Sequence, residues 1–135
     1  MNSQNKLRTS LLLMRLTVFL VIFMWTLDKL INPGHAVKVF EHFYLLEAVS
    51  FNVMYLIGSI EMGLLLLFLI GYKKTFTYGF VLLIHFVSTF SAFAKYLEPF
   101  NGNLLFFAAW PMLAACVALF LLRDQDTLFS VSKKT

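Results

Sequence analysis

Four apolar stretches, each roughly 19–21 residues long, dominate this chain and leave few folds open to it. They cover residues 11–31, 52–70, 76–94 and 104–122. At a rise of about 1.5 Å per residue, a stretch of that length crosses the roughly 30 Å of hydrocarbon in a bilayer. Periodicity does not separate helix from strand in segments this apolar, but uninterrupted length does, and it gives helix. Composition points the same way: 60% of the 135 residues are hydrophobic and 13% are charged, with a mean hydropathy of +0.80. A soluble domain carries about 25% charged residues. The expected fold is all-α, an integral membrane antiparallel four-helix bundle. It forms a single domain over residues 1–135, with 1–10 and 123–135 as cytoplasmic tails.

The cations orient it. Lys6, Arg8, Arg15, Lys73, Lys74, Arg123, Lys133 and Lys134 fall on one side of the expected spans, and Lys29, Lys38 and Lys95 on the other. Cytoplasmic loops collect Lys and Arg, so both termini and the 72–75 turn are expected in the cytoplasm. The net charge of +4 and the pI near 9.3 would suggest nucleic acid in a soluble protein. Here the cations sit at helix ends, where lipid headgroups account for them, and no nucleic-acid partner is expected. Lys6, Arg8 and Arg15 before an apolar run imitate a secretory signal. That run continues to Ile31 without a small-x-small cleavage site, which gives an uncleaved first helix.

Short turns at 71–75 and 97–103 set neighbouring helices antiparallel, with Gly71 as a helix C-cap and Pro99, Asn101 and Gly102 as turn residues. The first connection, 32–51, is longer. After Asn32-Pro33-Gly34 breaks the first helix, Val37, Phe40, Phe43, Tyr44 and Val49 alternate with Lys38, Glu41, His42 and Glu47. This pattern predicts a short amphipathic helix in the first outer loop, lying on the membrane surface or capping the bundle. From Arg123 onward the chain is polar, and a loose tail is expected.

Glu61 stands at the centre of the second stretch, nine residues from either end. A carboxylate at the bilayer midplane costs about 2.5–3.5 kcal/mol on insertion scales, so such a residue faces the bundle interior and has a partner. His85 is at the centre of the third stretch, and the two helices are antiparallel neighbours. Glu61 and His85 could therefore meet at the midplane, as interhelical glue or as a ligand-binding or proton-handling site, the alternative being that they do not touch. Tyr78, Ser88 and Ala92 share the His85 stripe, and Gly58 lies one turn from Glu61, which marks an interior seam.

At the outer end of the first helix, Trp25, Asp28 and Lys29 precede Asn32-Pro33. With His35, Glu41, His42, Lys95, Tyr96 and Glu98 they make a charged and aromatic mouth, read as interfacial anchoring or as a pocket with Lys29 reaching inward. His35 and His42 are seven apart and no HxxxH or HExxH spacing occurs, so no metal site is expected. Arg15, one turn inside the first helix, either snorkels to headgroups or has an interior partner. Trp110-Pro111 should kink the fourth helix. Cys116 is the sole cysteine, lies within an apolar run, and reads as a small hydrophobe. No phosphate loop, nucleophile elbow or haem-type His pair is present.

These features resemble the DoxX-like superfamily of small four-helix membrane proteins, of DoxX/MauE type. The carrying residues are Arg15; then Asp28-Lys29-Leu30-Ile31-Asn32-Pro33; then Glu61-Met62-Gly63 leading through to Gly71-Tyr72-Lys73-Lys74. The likeness covers the first two helices, while the last two agree in length and character. Met14, Val18 and Phe23 stand where such proteins often have small residues, and the outer loop is longer. The resemblance implies a redox-associated subunit of a bacterial inner membrane, like the small subunit of thiosulfate:quinone oxidoreductase. It carries over Arg15, Lys29 and Glu61.

Two functions follow as expectations. One is a redox-associated membrane subunit with a lipid-accessible pocket near Glu61, His85 and Lys29 for a quinone-like molecule. A membrane or peripheral redox protein would supply the redox centre, because these side chains carry no electrons themselves. The other is a non-enzymatic accessory subunit that assembles another membrane complex, for which the small-residue pairs Ser59/Gly63, Ser88/Ala92 and Ala114/Ala118 would serve as packing faces. Membrane lipid is a partner in either case, and a homo-oligomer is compatible with both. Whether the chain catalyses a reaction stays open at this point.

Overall fold

The fold is taken from a computed structural model that describes residues 2–132. Lys133 and Lys134, which enter the orientation argument, lie outside the described residues. Among those described, the only regular structure is helical.

Helix α1 (Ser3–Ile31) begins well before the first apolar stretch. The Asn2 side chain accepts the Asn5 amide at 2.9 Å, and this cap lets residues 3–10, expected as a tail, enter the helix. Asn32 and Pro33 end α1 and start α2 (Pro33–Tyr44), where Pro occupies the first turn and its missing N–H costs nothing. The amphipathic helix expected in the first long connection is thus present. Ser50 caps α3 (Phe51–Leu69) by accepting from the Val53 amide. At the other end of α3, Gly71 has φ +66°. Its amide donates to the Phe68 carbonyl (3.0 Å), and that of Tyr72 to the Leu67 carbonyl (2.9 Å), a Schellman cap that needs the left-handed conformation glycine allows.

Helix α4 (Lys74–Ser91) and the short α5 (Phe93–Leu97) lead to a 3-10 helix (Leu104–Ala108) that continues as α6 (Ala109–Leu121). The expected mid-helix kink at Trp110-Pro111 is realised as this change of helix type, with Pro111 in the first turn of α6, where it is tolerated.

Three helical stretches are long and apolar enough to cross a membrane: Ser3–Ile31, Phe51–Leu69 and Leu104–Leu121. Helix α4, expected as a fourth, reaches 18 residues but is more polar, with Lys74, Thr77, Tyr78, His85 and Thr89 along it. Lys74, Thr77, Tyr78 and Thr89 are buried. Most of the polarity of α4 therefore faces inward, while Thr75 and Ser88 are exposed.

Helix α1 packs on α3 and α6, and α4 packs on α3 and α6, which closes a ring around Leu11, Val18, Leu65, Phe68, Val81 and Leu119. Cys116 is buried in this core. Helix α2 lies across α1 and α3. Helices α1 and α3 approach closely at Gly58, where a Cβ would come within 2.9 Å of the Leu30 side chain and 3.2 Å of Lys29 Cβ. The last described residues, expected to be loose, fold back on the helices. The Val131 amide donates to the Ile70 carbonyl at 2.9 Å, and Asp126 is fully buried.

Candidate functional site

The close approach at Gly58 brings the last turn of α1 against the middle of α3, and so decides the partner of Glu61. Lys29 Nζ sits 3.0 Å from Glu61 Oε2, with the two side chains 13% and 15% exposed. Buried Thr26, one turn before Lys29, donates its hydroxyl to the same oxygen at 3.3 Å. The Lys29 ammonium also lies 5.9 Å from the ring centroid of Phe40, on α2. One cation thus ties three helices together, and it does so at the C-terminal end of α1, where the helix dipole favours positive charge.

His85 is not bonded to Glu61. Its Nε2 lies 3.0 Å from the Ala109 carbonyl oxygen, at the start of α6, and 3.4 Å from the Thr89 hydroxyl oxygen. Depth-matching of α3 and α4 allows that pair, but the α1–α3 crossing supplies Glu61 with a nearer and oppositely charged neighbour.

Glu61, Lys29 and His85 nevertheless line one space, a cavity of about 610 Å³ between α1, α2, α4 and α6. Trp25, Phe40, Phe43, Tyr44, Tyr96 and Phe106 wall it with aromatic rings. Tyr96 donates its hydroxyl to the Thr89 carbonyl at 2.9 Å, and burial raises its phenol above the usual tyrosine range. Cavities that hold drug-sized molecules measure about 300–1,000 Å³ and are apolar with a few convergent polar groups. This one has that form. It holds one ion pair, one imidazole and the hydroxyl residues Thr17, Ser88 and Ser91 among aromatic and aliphatic walls.

The mouth residues divide. His35 Nδ1 and Asp28 Oδ2 are 2.6 Å apart, at 50% and 25% side-chain exposure, joining α1 to the first turn of α2. His42 is exposed and makes an edge contact with Phe43 at 4.7 Å, while Lys95 stands half-buried on α5. No group of three or more His, Cys, Asp or Glu side chains gathers among the described residues.

Arg15 belongs to a different place. It does not line the cavity but is fully buried at the end where the tail returns. Its Nε is 3.6 Å from Asp126 Oδ2, and its Nη1 donates to the Tyr78 hydroxyl at 3.4 Å. Its Nη2 donates to the Leu128 and Phe129 carbonyls. Tyr78 in turn donates to Asp126 Oδ2 at 2.7 Å, and Lys74 Nζ to the Asp126 carbonyl at 2.7 Å. Sequence reasoning missed Asp126 and Lys74. A signal existed for the first: an arginine one turn inside an apolar helix needs a counter-charge, and Asp124 and Asp126 are the only carboxylates of the segment that follows α6.

Comparison with protein-family models, with curated proteins and with solved structures gives no match.

Proposed function

We propose that this chain is a four-span membrane protein of DoxX-like build, with both termini cytoplasmic in a bacterial inner membrane. In this reading it serves as a redox-associated subunit that binds a lipophilic, quinone-like molecule in the cavity beside Lys29, Glu61 and His85. The membrane half rests on the inverted character of the surface. Leu13 (58%), Leu56 (61%), Phe76 (61%) and Leu83 (60%) are exposed, whereas Arg15, Lys74 and Asp126 are at 0%. Water penalises that distribution and hydrocarbon favours it. Helix α4 supports the fourth span, because Lys74, Thr77, Tyr78 and Thr89, which lower its hydropathy, are buried in the protein.

The observation that carries the ligand half is the Lys29–Glu61 pair on the wall of an aromatic cavity that also contains His85. A flat carbonyl-bearing ring fits aromatic walls, and its oxygens fit a lysine ammonium. Glu61 and His85 are groups that exchange protons, and the partner protein supplies the electrons.

The test is to purify the full chain in mild detergent and identify co-purifying lipids and proteins by mass spectrometry, for wild type and Glu61→Gln. A quinone retained by wild type and depleted about 10-fold or more in the variant is expected. That depletion corresponds to the 1.5–3 kcal/mol contributed by a hydrogen bond to a charged group. Wild type without any quinone, but with a stoichiometric protein partner kept by both forms, overturns the ligand reading in favour of an accessory subunit.

A further inference from the structure

The hydrogen bonds around His85 fix which of its two nitrogens carries a proton, and this bears on the ligand. Nε2 faces the Ala109 carbonyl oxygen at 3.0 Å, and a carbonyl only accepts. Its second neighbour, the Thr89 hydroxyl oxygen at 3.4 Å, has already committed its one hydrogen to the His85 carbonyl at 2.7 Å. Both neighbours of Nε2 are therefore acceptors, and Nε2 must be the protonated nitrogen. In the neutral ring, Nδ1 is then a bare acceptor. Nδ1 has no hydrogen-bond partner among the described residues. It is also absent from the sealed, unpartnered polar atoms, which among the described residues are Arg8 Nε, Arg15 Nε and Asp126 Oδ1. It is therefore not sealed, and the His85 ring is part of the cavity lining.

A quinone carbonyl brings no hydrogen to that nitrogen. A phenolic hydroxyl does. Resting on the quinone-like reading above, we infer that the cavity selects the reduced, hydroxyl-bearing form of its ligand, a hydroquinone or similar phenol, whose O–H donates to His85 Nδ1. The aromatic walls supply the ring contacts common to both redox forms, and His85 Nδ1 adds a contact that only the hydroxyl form makes. Lys29 and Glu61, the cavity's ion pair, remain for the ligand's second oxygen. Sites built to bond a hydroxyl reject analogues that lack it far more strongly than apolar sites reject size changes, because a buried polar group is left unpaired.

Anaerobic calorimetric titration of the purified full chain with a short-chain benzohydroquinone, the corresponding quinone and the hydroquinone dimethyl ether tests this. The hydroquinone is expected to bind at least 10-fold more tightly than either of the others. In His85→Phe the preference should shrink to within about twofold while the quinone still binds. Equal or tighter binding of the quinone by wild type overturns the inference and leaves the ligand reading standing. Failure of all three compounds to bind overturns both.

Should His85→Phe not fold, the nitrogen resonances of the imidazole decide, read in a His35→Gln/His42→Gln protein where His85 is the sole histidine. A protonated Nε2 and bare Nδ1, with the Nδ1 signal moved by hydroquinone and not by quinone, is the expected pattern. Protonation at Nδ1 in the free protein, or equal shifts from both compounds, overturns the proposal.

Discussion

Arg15 cannot reach water without moving the tail that covers it, and its charge is balanced inside the protein by Asp126. At 3.6 Å the Nε–carboxylate contact is longer than a hydrogen bond, so the pair is held by charge and by the shared Tyr78 hydroxyl. Removing one member of a buried pair strands the other and costs about 3–5 kcal/mol, whereas replacing both is often close to neutral. Asp126→Ala is therefore expected to destabilise the protein in detergent by that amount, read as a lowered thermal unfolding midpoint. The double variant Arg15→Met/Asp126→Ala should recover a good part of the loss. A double variant that loses the sum of the two single effects would show that Arg15 and Asp126 act independently. At this scale, half of the chemistry was legible in the sequence. Glu61 and Lys29 stand out as charges within or next to apolar runs, and they meet. Asp126 does not stand out, since a carboxylate in a polar segment carries no periodicity that distinguishes burial from exposure.

Among the elements, α3 and α4 follow their apolar stretches to within three residues, because the length of an uninterrupted apolar run is a strong signal, whereas α1 starts eight residues before its stretch. Their pairing is less legible. Chain order made α3 and α4 the obvious partners for Glu61 and His85, but a glycine on α3 draws it against α1. Gly58→Val tests that account. Its side chain would overlap Leu30 and the Lys29 stem, separate α1 from α3, and cost about 1–3 kcal/mol as overpacking does. It should also mimic Glu61→Gln in ligand content, since the Lys29–Glu61 contact depends on the same crossing. Wild-type stability and ligand content in Gly58→Val would show that the crossing does not depend on the missing side chain. The polarity of α4 is likewise taken up by packing: Lys74 and Tyr78 bond to Asp126 of the tail, and His85 faces the Ala109 carbonyl of α6.

At the scale of the whole molecule, the proposed orientation has a direct readout. With Cys116 replaced by alanine, single cysteines can be placed at Glu47, exposed between α2 and α3, and at Lys73, exposed between α3 and α4. A membrane-impermeant maleimide applied to spheroplasts should label Glu47→Cys at once and Lys73→Cys only after permeabilisation. The reverse order would invert the topology, and simultaneous labelling would argue against a spanning chain. Inside-out polarity was legible from composition alone. The folded-back tail was not, because it depends on contacts between residues 113 apart in the chain. That separation has a consequence for biogenesis. Domains form as synthesis proceeds, N-terminal parts first, so Arg15 leaves the ribosome long before Asp126 or the Leu128 carbonyl exists. Under the proposed membrane reading, the first helix waits in the bilayer with an unbalanced charge until the segment after α6 is made, and a chain arrested short of that segment keeps the unbalanced charge as a mark of its state.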